Sequence, residues 1–198
     1  MSRPSLRVRK QQRARDEIVA AAYELFAERG YADVTVADIA ERAEAGRTTF
    51  FRYFGDKQEV VFANEQEWVD KVARRHRELR VDGAPSLPEA LALLRETTLA
   101  ICAEVTRDAE HYVQRERLIA DNPELSDRAA RKQRRLAETL GEILRDQGAT
   151  AETAALAPQI ALACYNAGRE IAADDPAALR PNVATAFDRL GIASTTAR

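Results

Sequence analysis

No apolar run in the 198 residues is long enough to cross a bilayer, which excludes a membrane-spanning role and leaves no reason to expect a membrane partner. The basic start, MSRPSLRVRKQQRAR, has no apolar segment behind it and does not read as a signal peptide, so a cytoplasmic protein is expected. Cysteine is scarce. Cys102 and Cys164 have neither metal-ligand spacing nor a sequence partner for nucleophilic chemistry, and both suit small core positions. The two histidines, His76 and His111, are too few for a histidine-rich metal site and lie beside no pattern of ligands. Gly55 in GDK lacks the glycine-rich run that a phosphate-binding loop requires. With no catalytic constellation and no metal motif, neither an enzyme nor a bound cofactor is expected.

An excess of charge of one sign is also missing, since the net charge is only -2. That average hides an asymmetry: Arg and Lys occupy six of the first fifteen positions, and no acid offsets them. A local positive footprint, not the net value, is what a phosphate partner requires. Aromatic residues are a mere 6% of the chain, yet four of them crowd into TTFFRYFGDK, residues 48–57, beside Arg52 and Lys57.

Helical periodicity runs almost unbroken, with no competing strand alternation, and predicts an all-α protein of about nine helices. A first helix is expected over Arg13–Arg29, with Ile18, Ala22, Leu25 and Phe26 on its apolar stripe and Gly30 as its stop. Thr35 with Asp38 forms a capping box for a short second helix, stapled by Val34 and Ile39. Glu44-Ala45-Gly46 makes a tight connection to a third helix, Arg47–Tyr53, and a fourth is expected from Lys57 to Leu79. RVDGAPS then breaks the pattern, and Ser86 with Glu89 opens the next helix. Further helices are expected over about 106–119, 123–147, 152–172 and from Pro176 to Gly191, with Asn122-Pro123 and Asp175-Pro176 as start signals. The expected domains are a flexible basic arm over 1–12, a DNA-binding trio over 13–56, and a larger helical domain over 57–198.

Two short helices on a tight turn are marginal alone and make sense when a third braces them, which is the helix-turn-helix arrangement. Leu25, Phe26, Ile39, Ala43, Phe50 and Phe54 are the expected bracing positions. Phe50 and Phe54 are four apart and share one face, assigned inward. Arg47, in the first turn of the third helix, suits guanine O6 and N7, and Thr48 offers a hydroxyl or methyl to a base. Thr49, Tyr53 and Lys57 suit phosphate contacts, and Phe51 suits sugar or a thymine methyl.

The strings IVAAAYELFAERGYADV and TVADIAERAEAGRTTFFRYFGDKQEVVFA resemble the N-terminal helix-turn-helix of the TetR family of transcriptional regulators, over about residues 14–65. The resemblance implies a following helical domain for ligand binding and dimerisation, and a regulator, most often a repressor, released from a palindromic double-stranded DNA operator by a small molecule. It implies that Thr35 caps the second helix at a phosphate, that Arg47 and Thr48 read bases, and that Thr49, Phe51, Tyr53 and Lys57 position the backbone. Where relatives commonly carry Gly, a hydrophobic residue and Ser before the third helix, this chain has Glu44, Ala45 and Gly46. Glu44 is therefore expected to take a positive φ.

An effector pocket between the central helices is the default for a helical sensor. Its expected lining is Thr98, Ile101, Cys102, Val105, Tyr112, Gln133, Leu136 and Tyr165. The section HYVQRERLIADNPELSDRAARKQRRLAETL loosely resembles regulators with acyl-CoA-type ligands or near mycofactocin genes, implying a small hydrophobic or acyl-type effector met by Arg115 or Arg117. Ala161, Tyr165 and Gly168, with Val183 and Phe187, are expected to form a homodimer surface. Effector binding is expected to displace the long fourth helix and move the two reading helices off adjacent major grooves. The rival reading is an all-helical ligand carrier or protein-interaction module whose N-terminal trio is purely structural.

Overall fold

A computed structural model describes residues 6–63, 74 and 83–191, and every described element is helical. Nine α-helices lie among the described residues: α1 Leu6–Arg29, α2 Val36–Arg42, α3 Arg47–Tyr53, α4 Lys57–Val61, α5 Leu87–Val105, α6 Ala109–Asp121, α7 Pro123–Asp146, α8 Ala151–Ala172 and α9 Pro176–Arg189. They divide into two compact units, Met1–Gln66 and Glu67–Arg198.

Helix α1 starts at Leu6, so residues 6–12 of the expected flexible arm are helical. Their straight-chain Arg, Lys and Gln side chains lose little rotamer freedom in a helix. One turn on, Gln12 Nε2 donates to Asp16 at 2.9 Å and Arg13 pairs with Glu17 at 2.8 Å, both at the supportive i,i+4 spacing. Gly30 stops the helix at φ 81°. Ile18, Leu25, Phe26, Tyr31, Val34, Ile39, Phe50 and Phe54 are buried in the N-terminal unit. Ala40 joins them, whereas Ala43, expected among the bracing residues, is half-buried.

The fourth helix is not the continuous element expected. Helix α4 closes at Val61, and the Phe62 and Ala63 amides donate back three residues, each at 3.2 Å. Side chains of α1 take the next carbonyls: Tyr23 Oη donates to Val61 O at 3.2 Å and the Arg15 guanidinium donates to Ala63 O. The expected stretch from Asn64 to Leu79 lies outside the described residues, apart from Arg74. Because Val60, Val61 and Phe62 are buried with the first unit, the expected domain boundary at 56/57 falls inside it.

In the second unit, α5 opens with a capping box in which Glu89 accepts from the Ser86 amide at 2.8 Å. Helix α6 begins at Ala109, not near residue 106. Thr106 Oγ1 donates to the Cys102 carbonyl at 2.8 Å, closing α5, while Asp108 accepts from the His111 amide at 3.0 Å as the cap. Asn122 precedes α7, but its side chain turns back and donates to Leu118 O at 2.8 Å, serving the end of α6. Pro158 sits inside α8 and leaves the Ala154 carbonyl without its helical donor. Gly141 of α7 packs at that place, where a Cβ would meet Ala154 O at 2.7 Å.

Helix α8 is the spine of this unit, with α5, α7 and α9 packed around it. The closest approach is at Gly168, where a Cβ would stand 2.6 Å from Val183 Cα and N. Arg95 of α5, largely buried, ties across to Asp188 of α9 at 3.0 Å. Gly168→Ala is expected to wedge α8 from α9 and destabilise the second unit by about 1–3 kcal/mol, seen as a lower midpoint in thermal or urea unfolding.

Candidate nucleic-acid interface and effector region

Helix α3 faces two ways. Phe50 is fully buried, 5.6 Å from the Phe54 ring and edge-on to Phe51 at 5.5 Å, which fixes the helix to its unit. Arg47, Thr48, Phe51 and Arg52 are exposed on the other side, and Thr49 and Tyr53 are half-buried at the border. Phe51 keeps 51% of its surface exposed. Arg52 stacks over Tyr53 with its guanidinium carbon 4.9 Å from the ring centroid and Nη2 donating to the hydroxyl at 3.3 Å. The fold therefore brings the proposed base readers, Arg47 and Thr48, onto one surface with Phe51 and the edge of Tyr53.

Thr35 caps α2 as expected. Its Oγ1 accepts from the Asp38 amide at 3.2 Å and donates to Asp38 Oδ2 at 2.5 Å, and the hydroxyl hydrogen bond holds the Asp38 carboxyl below its ordinary pKa. Arg42 binds α2 to α1 through Glu28 at 2.8 Å and Glu24 at 3.3 Å. Lys57 differs from the expectation of a simple phosphate contact. Its Nζ donates to the Tyr31 carbonyl at 2.7 Å and lies 4.1 Å from the Tyr31 ring, so it also clasps α4 to the α1–α2 connection.

The expected effector residues are only partly gathered. Cys102, Val105, Tyr112, Leu136 and Tyr165 share one apolar cluster. Burial pushes the Cys102 thiol up to about 12 and raises both tyrosines, so all three stay protonated near neutrality. Thr98 is turned to its own helix, donating to Leu94 O at 2.7 Å; Ile101 is buried outside that cluster and Gln133 is half-buried. Arg115 is committed to Glu116 at 2.7 Å, and Arg169 of α8 meets the other oxygen of that carboxylate at 2.8 Å. Glu116, between the two arginines expected to meet an effector, is only 6% exposed. A cavity of about 450 Å³ adjoins this ion cluster, lined from α6 by Glu116 and Arg117 and from α8 by Asn166, Arg169 and Glu170. Sequence reasoning placed none of its α8 residues in a ligand site.

The expected dimer residues need correcting. Ala161, Gly168, Val183 and Phe187 are buried within the protomer where α8 packs on α9, and Tyr165 packs against the same core. Small and aromatic residues marked a close helix crossing, but the partner helix belongs to the same chain.

Residues 18–63 match the family of bacterial regulatory proteins, tetR family. That match lies wholly within the N-terminal unit. Its relatives include the HTH-type transcriptional regulator TcmR of Streptomyces glaucescens, 49% identical over 57 residues, 29% of this chain and 25% of TcmR. The chain thus spans a quarter of the length of that curated relative. Similar solved structures reach further along it. A SmeT–triclosan complex covers 89% of this chain and 88% of its own, with TM-score 0.58 and 19% identity. The transcriptional repressor FadR of Thermus thermophilus, in complex with lauroyl-CoA, covers 93% of this chain and 96% of its own, with TM-score 0.54 and 22% identity. These two share the helical fold of this chain over most of its length.

The turn before α3 lies within the matched residues. The Ala45 amide donates to Ala40 O at 2.8 Å and the Glu44 amide to Glu41 O at 3.0 Å, the two bonds of a Schellman motif, with Glu44 in the glycine position at φ 50°. Glu44→Gly is expected to stabilise the unit by about 1 kcal/mol, because glycine takes this conformation without a Cβ penalty. A higher midpoint in urea unfolding is the readout.

Proposed function

We propose that this chain is a ligand-responsive transcriptional regulator of the TetR family, a repressor that binds a palindromic DNA operator as a homodimer and is released by a small molecule. The observation that carries the reading is the exposed arc of α3, where Arg47, Thr48, Phe51 and Arg52 stand clear of a buried Phe50–Phe54 anchor. A short helix held rigidly by its back face, with a cation and a hydroxyl in its first turn, suits insertion into a major groove. Thr35, Thr49 and Tyr53 flank it as phosphate positions, and Lys57 combines that role with its clasp on Tyr31.

Homodimerisation follows a different face from the one first expected. On α8, Leu156, Ile160, Ala163, Ala167 and Ile171 recur at helical spacing; all are exposed except the half-buried Ile160. Ile171 is 70% exposed, and the two alanines leave room for a second helix to approach. A symmetric pair of readers and a palindromic operator would follow from such a two-fold interface.

Selection of bound fragments from random DNA tests the reading. Recovery of a palindromic motif is expected, with an affinity that falls steeply as salt rises. Failure to enrich any sequence at any salt would favour a carrier or interaction module. Arg47→Ala is expected to relax preference at one base position in each half-site, costing about 1–3 kcal/mol of discrimination, in a repeat of the same selection.

A further inference from the structure

Helix α7 carries its exposed charges in two blocks. Arg131, Arg134 and Arg135 are exposed in its first half, with Arg128 and Lys132 half-buried beside them, and no acid stands between Asp127 and Glu138. Glu138, Glu142 and Asp146 are exposed in its second half. At the helical repeat, Arg131, Arg135, Glu138, Glu142 and Asp146 fall within about 80° of arc. The buried positions Leu125, Ala129, Ala137, Leu140 and Leu144 occupy another face, so this charged strip takes no part in the packing of α7 on its own unit.

The spacing of the strip is unfavourable for the helix alone. Arg131–Arg135, Glu138–Glu142 and Glu142–Asp146 are like-charge neighbours at i,i+4, a relation that costs helix stability. A solvated face alternates sign at that spacing, as Arg13 and Glu17 do on α1. Among the described residues, no ion pair joins Arg131, Arg135, Glu138, Glu142 or Asp146 to another side chain. Arg145 is the cation within the acidic half, and it is folded back: its Nη2 lies 3.6 Å from where a Cβ on buried Gly141 would stand. Glu124 and Asp127 precede the basic block, in the opening turns where acids suit the positive end of the helix.

Turned end for end, the strip is its own complement. A second α7 laid antiparallel about a two-fold axis near residues 136 and 137 sets Arg135 opposite Glu138 of the other copy, and Arg131 opposite Glu142. The axis repeats each pair, and the two helix dipoles oppose one another. A parallel copy would set like blocks together. A wholly basic partner would satisfy the acidic half alone, and a nucleic acid the basic half alone.

We propose that the α7 strip is a self-association surface, on which two copies of this chain meet antiparallel through ion pairs. It is a different surface from the apolar outward face of α8, so a chain that uses both assembles beyond a dimer. Ion pairs between exposed side chains are individually weak and are screened by salt, so the contact is reversible and belongs to low ionic strength. Association through apolar burial on α8 is not weakened in that way, which separates the two surfaces. The inference does not rest on the regulator reading.

The test is sedimentation of the full chain at about 50 mM and about 500 mM salt, between which the screening length changes about threefold. The sedimenting mass is expected to double as protein concentration rises at low salt, and the doubling to be lost at high salt. Arg131→Glu with Arg135→Glu makes the strip mainly acidic, and Glu138→Lys with Glu142→Lys makes it mainly basic. Each pair of changes is expected to weaken self-association about tenfold or more. Mixed one to one, the two variants should associate again, and the chain carrying all four changes should associate with itself. No doubling at low salt, a doubling unmoved by salt, or a mixture that stays apart would each overturn the proposal. Association lost in the arginine variant but kept in the glutamate variant would also overturn it, and would point to another acidic surface as the occupant of the basic half. If either reversal unfolds the chain by circular dichroism, Arg135→Gln and Glu138→Gln decide, each expected to weaken the low-salt association, and no change in either overturns the proposal. The random-DNA selection is independent of these measurements, so the surface and the regulator reading can fail separately.

Discussion

Phe50→Ala is expected to abolish sequence-selective DNA binding while leaving the second unit folded. The ring is 0% exposed and packs against Phe54 and Phe51, so its loss removes apolar burial and leaves a cavity in a small unit. Truncations of this kind cost about 3–5 kcal/mol. A helix of seven residues has little intrinsic stability to offset that, since short helices depend on tertiary packing. Urea unfolding should show an early transition for the N-terminal unit and an unchanged later one for the C-terminal unit. Phe51→Ala is the control, because a half-exposed ring outside the core should change stability by less than about 0.5 kcal/mol. Equal losses of stability in the two variants would mean that α3 is not anchored by its Phe50 face.

Glu116→Ala is the second variant with a large expected effect, this time in the C-terminal unit. The carboxylate is the shared partner of Arg115 at 2.7 Å and Arg169 at 2.8 Å, and it is nearly inaccessible to water. Removing it takes a carboxylate partner from each of two guanidinium groups in a crowded site. Breaking a buried pair from one side costs about 3–5 kcal/mol; the lower end applies here because the arginine side chains keep 20% and 32% exposure. Arg169→Met should cost less, since Glu116 keeps Arg115. A double-mutant cycle between 116 and 169 in urea unfolding measures the coupling, and a value near zero would show the two groups to be independent.

Much of the N-terminal unit was legible because its signals are local. The Thr35–Asp38 box lies within four residues, as the Ser86–Glu89 box of the second unit also does, and the cap geometry depends on little else. The positive φ of Glu44 followed from the resemblance, because relatives commonly carry Gly there, and the inward and outward faces of α3 followed from four-residue spacing. The Lys57 clasp was not legible, because its partner is the carbonyl of Tyr31, 26 residues away. Helix α4 illustrates the same limit: apolar periodicity continues past Val61, but side chains of α1 compete for the Val61 and Ala63 carbonyls.

The C-terminal unit divides differently. Composition and periodicity determined that it is helical, roughly where its helices begin and end, and that Gly168 marks a place of close approach. They did not determine what approaches. The residues after α8 turn the chain back so that Val183 and Phe187 fill the space beside Gly168, which spends the expected dimer face inside one protomer and leaves Leu156, Ala163, Ala167 and Ile171 outward. Likewise the sequence offered Arg115 or Arg117 to an effector and gave no sign that Arg169, 53 residues after Glu116, is placed against that carboxylate. Local hydrogen bonding and side-chain spacing are written in neighbouring residues, and those the sequence decided alone. Burial, counter-charge and the identity of a packing partner depend on residues far apart in the chain, and those only the tertiary structure decided.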